Sequence, residues 1–125
     1  MSLIDILLNN DIPETEVKEF KIKRLSKAWN TEVILTLKGI GYNKVAEIKN
    51  MSGDDIPIHI ILSGEKTGVF KNKELMEKYG AVTPAELVKK ILTAGEIEEV
   101  SKQIEILSGY RKNTIEEIKK NNGRF

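Results

Sequence analysis

The sequence contains no cysteine. Disulfides, thiolate metal sites and cysteine nucleophiles are therefore excluded. It has a single histidine, His59, set inside an apolar run. A catalytic or ligating histidine needs convergent partners, so His59 is read as a packed or surface residue. A zinc site would need several histidine, cysteine or carboxylate ligands at set spacings, and no such spacing occurs. Charge of one sign is also lacking: 20 Lys and Arg stand against 19 Asp and Glu, a net +1, which gives no general pull toward nucleic acid or an anionic membrane. No apolar run approaches the ~18 residues needed to cross a bilayer. The opening Met1–Leu8 lacks a basic region and is broken by Asp5, so it does not read as a signal peptide. There is no internal repeat and no low-complexity tract.

What is present is an ordinary globular composition, 40% hydrophobic and 31% charged over 125 residues. That length suits one domain with a real core. Residues 3–8 predict a short helix, apolar nearly all round, which Ser2 can cap and beyond which Pro13 ends any continuation. Isolated helices this short are marginal, so the segment must dock on its own domain, a second copy or a partner. Residues 17–24 read as a strand with Phe20 and Ile22 opposite Lys21 and Lys23. A second strand spans 31–38, where Val33, Leu35 and Leu37 alternate with polar residues, and Leu25–Asn30 forms an open hairpin loop between the two. Two strands alone are unstable, so helices must cover their apolar face. From Tyr42 the pattern is helical, with Val45, Ala46 and Ile48 on one side and Ser52-Gly53 as the stop. Residues 55–63 fit helix or strand: Ile56, Ile58 and Ile60 alternate, while Asp55 followed by Pro57 marks a helix start and tips the reading to helix.

The C-terminal half is punctuated locally. Asn72 caps a helix through Tyr79, and Gly80 supplies its left-handed end. Thr83-Pro84-Ala-Glu86, Thr93-Ala-Gly95-Glu96 and Thr114-Ile-Glu-Glu117 each show capping-box spacing. Leu87, Val88, Ile91 and Leu92 form one helical stripe; Ile97, Val100, Ile104 and Leu107 form another that Gly109 ends, and a last short helix is expected over 115–121. The fold class is α+β: an N-terminal antiparallel β-hairpin packed against a C-terminal bundle of short helices. The expected organisation is one domain over 1–125, with an apolar helix and linker at 1–12, a hairpin at 17–38 and a helical part at 42–120.

Other motifs weigh little. Asp54-Asp55 lacks the ligand pattern of a calcium loop and fits helix capping. Gly39-Ile-Gly41 lacks the third glycine of a dinucleotide fingerprint, since position 44 is Lys, and reads as a turn. No Walker motif or exposed-serine elbow is present. Nucleic-acid binding would rest on Lys21, Lys23, Arg24 and Lys27, with Arg111, Lys112, Lys119, Lys120 and Arg124. Basic residues along a strand usually protect its edge. The second helix of an 84–92/95–107 pair carries Glu96, Glu98, Glu99 and Glu105, which would repel phosphates.

The run Tyr79-Gly-Ala-Val-Thr-Pro-Ala-Glu-Leu-Val-Lys-Lys-Ile-Leu-Thr-Ala-Gly-Glu-Ile97, followed by Ile106-Leu-Ser-Gly-Tyr110 and Ile115-Glu-Glu-Ile-Lys-Lys120, resembles the XkdN-like family of phage tail assembly chaperones. The opening strand Val17-Lys-Glu-Phe-Lys-Ile-Lys-Arg-Leu25 is similar to that family's lysine-rich start. Ala94 stands where the family commonly has proline. Thr83, Pro84, Glu86, Gly95, Glu96, Ile97, Leu107, Ser108, Gly109 and Tyr110 carry the resemblance and read mainly as structural punctuation.

The resemblance implies a non-enzymatic protein, without cofactor, that holds the tape measure protein in the bacterial host's cytoplasm until tube subunits polymerise around it, and that is absent from the finished particle. Implied partners are the tape measure protein, the tail tube protein and a frameshifted longer form of the chain itself, with self-association left open and no nucleic acid or membrane. Lys119-Lys120-Asn121-Asn122 fits an A-rich slippery run as a hypothesis, which a gene without such a heptamer would remove. Candidate anchors are Leu3, Ile4, Leu7 and Leu8, while the 97–107 stripe is read as core by its spacing. Two alternatives stay open. A tail tube or terminator subunit would show more strand and form rings on size-exclusion chromatography. A small DNA-binding regulator would give a salt-sensitive mobility shift.

Overall fold

The computed structural model describes residues 2–51, 53, 55–110 and 113–119. Seven α-helices and two strands follow in the order α1 (Leu3–Leu8), β1 (Val17–Lys21), α2 (Lys23–Ala28), β2 (Ile34–Lys38), α3 (Tyr42–Lys49), α4 (Ile56–Gly64), α5 (Lys73–Tyr79), α6 (Pro84–Ile91) and α7 (Ala94–Leu107) among these residues, with a 3-10 turn at Val69–Lys71. The α+β class expected from the sequence holds.

The hairpin pairs β1 with β2 antiparallel, Phe20 facing Leu35 and Lys18 facing Leu37. Leu35 and Leu37 are buried, as their alternation requires. The expected extent of the first strand is corrected: it stops at Lys21, and α2 fills what was read as its end and the open loop. The cause is spacing. Ile22 and Leu25 are both buried, and a three-residue interval brings both to one side only in a helix. Ser26 then closes the connection by accepting a hydrogen bond from the Val33 N–H at 2.9 Å.

α4 lies at the centre, and its Ile58, Ile60 and Ile61 are all buried. A helix enclosed on several sides has no single apolar stripe, which explains why its sequence fits a strand almost as well. Its densest neighbour is α7, whose Val100, Ile104 and Leu107 are buried. The two helices approach closely because Gly64 has no side chain: a Cβ there would stand 2.5 Å from Ile104. Leu87 and Val88 of α6, Ile48 of α3 and Phe70 complete the core.

Two further expectations change. Asp55 occupies the N-cap position of α4 but its side chain makes no cap bond; it reaches Lys89 at 3.3 Å instead. Asp54, and Ser52 as a stop for α3, lie outside the described residues. α1 spans Leu3–Leu8 as expected, and the Asn9 and Asn10 side-chain amides close its end by donating to the Asp5 and Ile6 carbonyls at 2.8 and 2.7 Å. The last helix is not formed over the described residues 113–119, all of which are exposed. A segment that short has no helical stability without a packing face; its remaining two residues lie outside the described part.

Candidate docking surface

α1 is a helix completed by its own side chains. Ser2 Oγ accepts from the Asp5 N–H at 3.2 Å and donates to Asp5 Oδ2 at 2.8 Å. The Ser2 N–H donates to the same carboxylate, so a full capping box closes the N-terminus. The two asparagine amides satisfy the other end. Every residue from Ser2 to Glu19 is nevertheless exposed. Leu3, Ile4, Leu7 and Leu8 are 68%, 70%, 57% and 78% exposed. At 100° per residue the four occupy roughly a 140° arc, and Ile6 adds a flank that is 43% exposed. The structure thus brings these four candidate anchors together on one uncovered face.

The other candidate stripe is spent inside the molecule. Val100, Ile104 and Leu107 are in the core, and Ile97 is half-buried. His59 is half-buried on α4, at the rim of a shallow depression shared with Lys38, Lys44 and Lys71.

The punctuation residues sit at the caps and joints of α6 and α7. Thr83 Oγ1 accepts from the Glu86 N–H at 3.2 Å, and Pro84 opens α6. Glu86 accepts from the Val82 N–H at 2.7 Å rather than from the cap residue, so only half of that capping box forms. Thr93 and Glu96 form a complete one, with α7 beginning at Ala94, and Gly95 sits in its first turn with open space around it. Glu96 also takes Arg24 at 2.9 and 3.1 Å, and Arg24 donates to the Ile91 carbonyl at 2.9 Å. The Arg24 hydrogen bond is the main reason the Glu96 carboxyl lies below its usual value, with the Thr93 N–H helping and burial opposing. Arg24 therefore ties α2 to the α6–α7 junction. Arg111, Lys112, Lys120 and Arg124, the other part of the basic set, lie outside the described residues apart from Lys119.

Leu107, Ser108, Gly109 and Tyr110 form a joint. Leu107 is buried. Ser108 Oγ accepts from the Ile40 N–H at 2.9 Å and donates to the Ile104 carbonyl at 2.7 Å. Gly109 has φ +101°, a conformation that favours glycine. The Tyr110 ring lies 5.2 Å from Lys49 Nζ. Gly39 fits beneath because a Cβ there would meet the Leu107 carbonyl oxygen at 2.5 Å. The Gly39-Ile-Gly41 turn is thus explained by backbone contact.

Sequence reading missed Glu65, which is buried. Its carboxylate accepts from the Gly68 N–H and Thr67 Oγ1 at 2.8 Å and from the Thr36 N–H at 3.3 Å. It braces the loop after α4 against β2. The Thr-Gly that follows it was the one local signal.

The sequence pattern of the phage XkdN-like tail assembly chaperone family matches residues 54–120, more than half of the chain. The chain belongs to that family. The match takes in α4 to α7 and the segment beyond them, whereas α1 and the hairpin precede it. The chaperone's fold is similar to that in the crystal structure of the protein YqbN, with a TM-score of 0.67, 22% identity, and coverage of 88% of this chain and 98% of that one. A search of curated proteins finds no match. Among the chaperone's described residues, no helix is long and apolar enough to cross a membrane.

Proposed function

We propose that this tail assembly chaperone holds the tape measure protein in the host cytoplasm during tail building, without catalysing a reaction, and that α1 is the element it grips with. The observation that carries this reading is a self-capped helix presenting Leu3, Ile4, Leu7 and Leu8 to solvent. A helix that needs no contact with its own domain keeps its whole apolar face for another chain. An amphipathic partner helix is the chemistry that fits such a face.

Magnitudes limit what α1 does alone. Covering four such side chains yields roughly 1–2 kcal/mol each, a gross gain that barely offsets the ~4–15 kcal/mol lost on association. A single α1 therefore gives a weak, reversible hold. Many copies along one long partner give a strong one. A chaperone that tube subunits must displace needs that combination.

The test is co-expression with a tape measure protein and quantitative co-purification. The variant Leu3→Ser/Ile4→Ser/Leu7→Ser/Leu8→Ser is expected to keep its melting temperature and lose the partner. Retained partner at wild-type yield would sink the assignment of α1.

A further inference from the structure

Two exposed apolar segments leave the body of the chain at the same place. On the N-terminal side, Thr15 Oγ1 donates to the Gly39 carbonyl at 3.4 Å. On the C-terminal side, Gly39 lies against the Leu107 carbonyl, and the next residue, Ile40, donates its N–H to Ser108 Oγ. One residue, Gly39, thus separates the root of the N-terminal arm from the root of the C-terminal segment.

Over their whole lengths the two segments are opposite in net charge. From Ser2 to Glu16 the arm carries Asp5, Asp11, Glu14 and Glu16 and no cation, while Arg111–Phe125 carries five cations against Glu116 and Glu117. Glu16 is engaged with Lys18 at 3.8 Å, and Asp5 with the cap of α1. The C-terminal segment also has the signals of a helix without being one. Thr114 and Glu117 stand at capping-box spacing, and Ile115 and Ile118 are three apart. Yet residues 113–119 form no helix, and Ile115 and Ile118 are 87% and 81% exposed. What this segment lacks is an apolar surface to fold against, and α1 is an apolar surface with nothing on it.

We infer that Thr114–Lys119 folds as a helix on the Leu3/Ile4/Leu7/Leu8 face of α1 in the same chain. Leu8 and Thr15 are seven residue steps apart, and Tyr110, the last residue held at the joint, is five steps from Ile115; the tethers span up to about 23 and 17 Å, enough for the two to meet. Adjacent roots also favour pairing within a chain over pairing between chains, because short tethers give effective concentrations on the order of millimolar. The closed pair shields the apolar arm from self-association and is exchanged for a partner helix when one arrives. The inference does not depend on which partner that is.

The absence of cysteine makes the test clean. Leu7→Cys/Ile118→Cys holds the only thiols, and mild oxidation is expected to give a crosslinked monomer that migrates faster on a non-reducing gel. Adding Ile115→Ser is expected to slow crosslinking roughly tenfold, as loss of one buried isoleucine would. Unchanged thermal melts of the single-cysteine variants serve as the folding control. Two maleimide-reactive thiols that do not crosslink would overturn the inference. So would a crosslinked dimer, or crosslinking between a Leu7→Cys chain and an Ile118→Cys chain, either of which makes a second copy the occupant. Co-purification of the tape measure protein with the same variants reads the proposed function separately, so either proposal can fail alone.

Discussion

Two helices of this chaperone carry similar aliphatic side chains and meet opposite fates. α7 buries Val100, Ile104 and Leu107 against α4, while α1 leaves Leu3, Ile4, Leu7 and Leu8 in solvent. Both are well capped, each with a complete capping box. They differ in length, 14 residues against 6, and in what faces them. α7 meets a glycine at position 64 that admits Ile104. α1 sits on an arm whose every residue is exposed. An apolar stripe thus does not by itself say whether it is covered, and the fold decides whether the chain does the covering.

Breaking the α7 side of this comparison should have the largest effect. Ile104→Ala removes a fully buried side chain and is expected to cost about 2–5 kcal/mol, or roughly 8–20 °C in melting temperature at about 4 °C per kcal/mol. Gly64→Ala attacks the same contact from α4 and should cost about 1–3 kcal/mol by overpacking. Because the two sites touch, the double variant should be less unstable than the sum of the singles; strict additivity by denaturant melts would contradict direct packing. Thr93→Ala removes the α7 cap bond and should cost about 1 kcal/mol.

The Arg24–Glu96 link is expected to contribute less, and in a pH-dependent way. The Glu96 carboxyl lies below its ordinary value in the folded chain. Its stabilisation is therefore fully present above the unfolded-state value and fades as pH falls through the folded one. Glu96→Gln keeps a capping side chain but loses the charge. Its melting temperature should lie below wild type at neutral pH and converge with it in acid; a constant gap would assign the effect to packing. Smallest of all is Leu7→Ala on α1, expected within about 0.5 kcal/mol of wild type. A larger loss would mean that the arm is part of the core.

Much of the fold was readable locally. Asn72, Thr83, Thr93, Gly80 and Gly109 end or begin helices where their chemistry says they should, because capping depends on neighbours within four residues. What escaped local reading depended on distant ones. α2 falls across the expected end of the first strand and the hairpin loop, because the reason for it, joint burial of Ile22 and Leu25, needs the rest of the core. The helix expected over 115–121 has its caps but no packing partner in 113–119. Glu65 is buried because the distant Thr36 and the nearby Gly68 close around its carboxylate.

For the proposed docking surface, the four aliphatic residues and the cap at Ser2 are visible in the sequence. Their exposure is not, since short apolar helices at chain ends are as readily core as not.

The sequence by itself determined the capped boundaries of α5, α6 and α7, the α+β class and, through the order of its motifs, the resemblance to the tail assembly chaperones, because these rest on short-range chemistry and on spacing. Only the tertiary structure decided which apolar stripe is core and which is free, that Gly64 and Gly39 are contact points, and that the two exposed segments share a root at Gly39. Burial is a property of what lies opposite a residue, and nothing in a linear sequence states what that is.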